Sequence, residues 1–162
     1  MIAEHKVRIG SPADHKAMMT FLCKMHEENG VANMDEKRVE TVLMCGLARH
    51  NAIVGICDGK NGEIAGSAGL FVSEWWYSSD RQLEDRWLFV APDYRREPIA
   101  RPLLQFAKNT ADGLGIPLLL GVLSDVRTEA KVRLYERQLG KSVGAIFLYG
   151  DRSRSDSQSK AA

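Results

Sequence analysis

The chain has 162 residues, 44% of them apolar and 27% charged, and a formal net charge of +1. That length suits one domain that buries its own core without staples, and so ordinary a composition excludes a wholly disordered chain. The near-neutral balance argues against an extensive nucleic-acid surface, because such surfaces are strongly basic.

The chain opens with a short strand-like stretch, Lys6 to Ile9. No apolar leader core precedes it, and no run anywhere is long enough to span a membrane. Ser11, Pro12 and Asp14 then form a helix-start signal: a capping hydroxyl, a proline suited to the first helical position, and a carboxylate placed to complete a capping box. Met18, Phe21, Leu22 and Met25 recur at helical spacing, and Gly30 closes that helix. A second helix begins near Asp35, with Val39, Val42, Leu43, Gly46 and Leu47 on one face.

The period then changes. Ala52 to Cys57 and Glu63 to Val72 read as two strands joined by the turn Asp58-Gly59-Lys60-Asn61-Gly62. Ser73 to Arg81 is a loop carrying Trp75, Trp76 and Tyr77, and Leu83 to Val90 returns as a strand stopped by Pro92. Ile99, Leu103, Phe106, Ala107, Thr110 and Leu114 share a helical face that ends at Gly113 and Gly115. Leu118 to Leu123 is a continuous apolar run of the kind buried on both faces of a sheet. A helix over Thr128 to Leu139 and a last strand over Val143 to Tyr149 complete the domain.

The expected architecture is therefore α/β, in the order β-α-α-β-β-β-α-β-α-β, with a mixed sheet covered by helices. Residues 1–150 form the single domain, and the polar stretch 151–162 reads as a disordered tail. Cys23, Cys45 and Cys57 are far apart with no paired spacing, which argues against a disulfide framework or a zinc site and suits a reducing cytoplasm. The four histidines show no metal-ligand spacing, and Walker, nucleophile-elbow and dinucleotide signatures are absent.

The informative stretch runs from Leu88 to Leu104. A strand ends, a basic loop follows, and an amphipathic helix opens, so unpaired N–H groups and the helix dipole make an anion site. Arg95, Arg96 and Arg101 add charge suited to a diphosphate. The segment Val90-Ala91-Pro92 followed by Arg95-Arg96-Glu97-Pro98-Ile99-Ala100 resembles the acetyl-CoA motif of GNAT (Gcn5-related N-acetyltransferase) enzymes, V-x-P and then [Q/R]-x-x-G-x-[G/A]. Pro98 stands where the family has glycine, and Pro102 removes another donor, leaving a cradle poorer in N–H groups and richer in guanidinium. Downstream, Leu134-Tyr135-Glu136-Arg137-Gln138-Leu139-Gly140 resembles the family segment L-Y-E-x-x-G-F, with one extra residue before the glycine and Lys141 in place of phenylalanine. Thr128 takes the position where many members carry asparagine.

The resemblance implies a GNAT-like, mostly antiparallel central sheet flanked by helices. It also implies direct transfer of an acetyl group from acetyl-CoA to an amine in a ternary complex. Phe89 and Val90 would pair with the pantetheine arm, a nearby backbone N–H would steady the oxyanion, and the loop Arg95 to Arg101 would hold the diphosphate. Tyr135 would inherit the role of general acid toward the leaving thiolate. A tyrosine packed in a helix for its ring, and a solvated arginine loop, would look the same in one sequence.

A carboxylate suits transfer of the ammonium proton, and the resemblance implies a base on the strand leading into Val90. Glu84 shares side-chain parity with Leu88 and Val90, whereas Asp85 shares parity with Phe89, which favours Glu84; both also suit solvated pairing with Arg81 and Arg86. Glu74, Trp75 and Trp76 are placed to line an acceptor pocket, small-molecule or protein, although the aromatics suit packing or a homodimer contact equally. A non-catalytic acyl-CoA binder, or a partner-binding or nucleic-acid-binding module on the same fold, is the competing function.

Overall fold

The structure, a computed structural model, describes residues 5–150. The tail expected over 151–162 lies outside the described residues. Nine elements of regular structure follow in chain order among them: β1 (Val7–Ile9), α1 (His15–Asn29), α2 (Glu36–Leu47), β2 (Ala52–Asp58), β3 (Ile64–Glu74), β4 (Arg81–Val90), α3 (Ala100–Leu114), β5 (Leu118–Leu119) and α4 (Thr128–Leu139). Short 3-10 turns precede α1 and α3 and close the turn between β2 and β3.

The strands lie in the order β1-β2-β3-β4-β5. The first three pairings are antiparallel and β4 to β5 is parallel, so the sheet is mixed and mostly antiparallel, as expected. The start of α1 is fixed locally: the Ser11 N–H donates to Asp14 Oδ2 at 2.8 Å, and Arg8 bridges Asp14 and Asp58, tying the helix entrance to β1 and β2. At α2 the Asp35 side chain caps by accepting from Arg38 N at 3.1 Å.

Alternation in the strands sends side chains to two cores. Phe89 meets Phe21 of α1 edge to face, and Leu43 and Leu47 of α2 complete that side. On the opposite face Leu70 and Leu83 pack against Ala107 and Ala111 of α3. Burying each such leucine or phenylalanine contributes about 1.5–3 kcal/mol. At Gly66 a side chain would lie 2.8 Å from Ile99 Cγ2, so this glycine lets the start of α3 settle onto the sheet.

Two expectations fail at the C-terminal end. The apolar run from Leu118 pairs only through Leu119, and Leu123 is 58% exposed. Residues 143–149, expected as a last strand, form no strand and lie open to solvent. The order observed is β-α-α-β-β-β-α-β-α. Leu114, expected on the buried face of α3, is half exposed because the helix ends there at Gly115.

Candidate active site

Two local irregularities create the site. β4 carries a bulge: Leu70 pairs with Asp85 and Gly69 with Trp87, so Arg86 is the extra residue. Gly69 makes room for the Trp87 indole, which sits where a Cβ would be and donates to Ser67 Oγ at 3.1 Å. β4 and β5 are joined only at Leu83–Leu118 and Glu84–Leu119. Beyond that point they part, and a wedge opens between the second half of β4 and residues 121–135.

The wedge holds two adjoining cavities, of about 390 and 320 Å³. Asp85 and Trp87 lie on the first, with Asn29 at the end of α1. Val90, Arg95, Ala100, Arg127 and Arg137 lie on the second. Leu88, Lys131 and Tyr135 border both.

The bulge reverses the side-chain parity expected for the two carboxylates. One extra residue reverses parity between Glu84 and Leu88, so Asp85 shares a face with Leu88 and Val90, whereas Glu84 shares one with Trp87 and Phe89. Glu84 pairs with Arg86 at 2.9 Å, accepts from Gln82, and lines neither cavity. Asp85 sits where the strands separate, and its Oδ1 accepts the Gly121 N–H at 3.0 Å, in place of a ladder bond. Burial pushes its pKa up to about 6, although the Gly121 N–H favours the charged form. Burial, with the Asp85 charge second, also raises the Tyr135 phenol, which keeps its proton at neutral pH.

The arginine loop is only partly as expected. Arg95 borders the second cavity, but it is bound by both oxygens of Glu28 at 2.6 and 2.7 Å and lies over the Phe89 ring. It braces α1 against the loop. Glu97 pairs with His5 at 2.7 Å, Ile99 is fully buried core, and Arg96, Pro98 and Arg101 are exposed outside both cavities. At the start of α3, Ile99 provides no side-chain cap and the first helical acceptance, from Leu103 N to Ile99 O, is long at 3.4 Å. The Ala100 and Arg101 N–H groups therefore face outward without helical acceptors, and Pro102 has none to offer.

Other residues escaped the sequence argument. Lys131 Nζ donates to Ser124 Oγ at 2.7 Å, and burial lowers its pKa. It precedes Tyr135 by four residues on one face of α4, a spacing visible in the sequence once the helix is placed. Glu74, Trp75 and Trp76 lie at the β3–β4 tip, away from both cavities, with Trp76 94% exposed.

The donor set fits an acyl-CoA. The β4 edge is free to pair with an extended amide chain, Arg127, Lys131 and Arg137 supply cations, and the open N-terminus of α3 suits phosphate. Among the described residues no cluster could hold a metal ion, and no helix is long and apolar enough to cross a membrane.

Comparison with solved structures supports the same fold. An aminoglycoside acetyltransferase, meta-AAC0020 from an uncultured soil metagenomic sample, in complex with sisomicin, is 15% identical with a TM-score of 0.66, covering 90% of this chain and 95% of that one. The ribosomal-protein-alanine N-acetyltransferase of Brucella melitensis biovar Abortus 2308 is 15% identical with a TM-score of 0.67, covering 91% and 99%. AAC(6')-Iy in complex with the bisubstrate analog CoA-S-monomethyl-acetylneamine is 12% identical with a TM-score of 0.67, covering 93% and 99%. No curated protein sequence matches. The model of the acetyltransferase (GNAT) domain matches residues 48–138, more than half of the chain and the span that contains both strand irregularities, the α3 start and Tyr135. With that match and a cleft fit for acyl-CoA, the chain belongs to the GNAT acetyltransferase family, whose members use acetyl-CoA as acyl donor.

Proposed function

We propose that the chain acetylates a primary amine held in the Asp85 cavity, by direct transfer, with Asp85 as general base and Tyr135 as general acid. The observation that carries this assignment is the placement of both groups on one cavity, where β4 and β5 part. Bound acetyl-CoA supplies the thioester whose acyl group moves. Asp85 receives the proton of the incoming ammonium, and a pKa of about 6 suits a base working near neutrality. The Tyr135 hydroxyl delivers its proton to the departing sulfur. Backbone N–H groups on the free edge of β4 steady the negative charge that develops on the acyl oxygen. The Arg96, Arg101, Arg127 and Arg137 side chains and the first turn of α3 hold the phosphates.

The acceptor is a small cationic amine. A half-buried carboxylate attracts such a group, and the cavity of about 390 Å³ limits its reacting end. The relatives span an enzyme bound to sisomicin and one named for a ribosomal-protein alanine, so a short peptide N-terminus is the second acceptor class. One domain carries the whole site, and its three free thiols suit the cytoplasm.

The test is thiol release from acetyl-CoA across a panel of amines. Asp85→Asn and Tyr135→Phe should each lower kcat by at least about 100-fold with acetyl-CoA binding retained, in the range of lost proton-transfer catalysis. Glu84→Gln should leave kcat within about threefold. If Glu84→Gln is crippled and Asp85→Asn is not, the assignment of the base is wrong.

A further inference from the structure

Lys131 lies where the two cavities meet, on the face of α4 that carries Tyr135 one turn later. A lysine drawn out of water usually has a charged partner. This one is half-buried, yet among the described residues no carboxylate pairs with its Nζ. It donates instead to Ser124 Oγ at 2.7 Å. Burial, and behind it the Arg95 and Arg127 charges, shift the amine toward its neutral form against the pull of Glu28.

The Ser124 hydroxyl is fully committed. Its proton goes to Asn29 Oδ1 at 2.8 Å, and its oxygen also accepts the Val126 N–H at 3.1 Å. The Thr128 hydroxyl donates to Ser124 O and fixes the residue against the first turn of α4. Ser124 therefore holds Nζ by accepting from it, and has no proton left to cover a lone pair there. A neutral Lys131 amine keeps that lone pair free for attack, beside Tyr135 and within the cleft that fits the acyl donor.

We propose that Lys131 is a self-acetylation site, which takes the acetyl group from bound acetyl-CoA when no acceptor fills the Asp85 cavity. The inference rests on the acyl-transfer reading of this cleft. Nζ attacks the thioester carbon, so that an N–C bond forms and the C–S bond breaks. Tyr135 gives its proton to the departing sulfur, and the proton lost by Nζ restores the phenol. The amide formed carries no charge, so the second cavity keeps its arginines but loses its ammonium. The added acetyl group also stands at the junction that donor and acceptor share, and the modified chain is shut.

The full chain is incubated with acetyl-CoA and no acceptor, and its peptides are followed by mass spectrometry. Lys131 should gain an acetyl group at least about tenfold faster than the exposed Lys16 and Lys37, as befits an amine held beside the thioester. Excess coenzyme A should suppress the reaction at Lys131 and spare the other two. Turnover of an added amine should fall in step with the modified fraction. A readout that needs no donor is the NMR signal of the Lys131 ε-methylene, which should titrate at lower pH than those of Lys16 and Lys37. Calorimetry with acetyl-CoA separates the two ways of failing. No binding would overturn the acyl-transfer reading and this inference with it. Binding without preferential modification of Lys131, or a Lys131 amine that titrates with the exposed lysines, would overturn this inference alone. So would turnover that persists after full modification.

Discussion

Asp85 and Tyr135 illustrate how burial sets chemistry at single residues. Asp85 gains a pKa of about 6 because it is half-buried at the point where the sheet opens, with one backbone N–H as partial compensation. Two outcomes follow. The kcat/KM profile should fall on the acid side with a midpoint near pH 6, as the base becomes protonated, and the residual activity of Asp85→Asn should lack that limb. The sign for stability is the reverse of the usual carboxylate case. A folded pKa above the unfolded value means the stabilising contribution is present below about pH 4 and is lost as the pH rises to about 6. Asp85→Asn should therefore be more stable than wild type above pH 6, by up to about 3 kcal/mol, and equal to it near pH 4. Thermal melts across that range are the measurement. Arg95 makes the contrast. Held by Glu28 and stacked on Phe89, it braces two elements. Arg95→Ala should lower stability by roughly 1–3 kcal/mol, much of it recovered in the double variant with Glu28→Ala, because a stranded, largely buried carboxylate is the main cost. Melting temperatures of the two singles and the double would establish this.

Among the elements, β4 decides the site. Its bulge at Arg86 presents Asp85, rather than Glu84, to the cleft, and Gly69 opposite accommodates the indole that packs beside it. Gly69→Ala should cost about 1–3 kcal/mol by overpacking against Trp87, and it should disturb the bulge enough to lower kcat as well as Tm. Comparing the near-ultraviolet dichroism of Trp87 with turnover would separate a local repacking from a lost site. The start of α3 was legible from the sequence because the strand stop at Pro92 and the helical apolar spacing from Ile99 are local signals. The bulge was not. It depends on register with a partner strand, and a sequence read at period two carries parity straight through an extra residue.

For the whole molecule, the alternating and helical periods of residues 6–119 were enough to determine the α/β order and a mixed sheet covered by helices, since each period is imposed by backbone geometry and each stripe must be buried, whereas the mostly antiparallel arrangement was implied by the family resemblance. The motifs at Arg95–Ala100 and Leu134–Gly140 pointed to acetyl-CoA through their resemblance to GNAT segments. Tertiary structure alone decided which carboxylate faces the cleft, that Arg95 is a brace, that the Trp75–Trp76 tip stands apart from both cavities, and that Lys131 joins Tyr135 at the wedge. It also decided that residues 143–149, strand-like by composition, form no strand among the described residues. The physical reason is common to these cases. Residue type and spacing fix what a segment prefers by itself, whereas register, ion pairing and edge pairing depend on which distant segment arrives beside it.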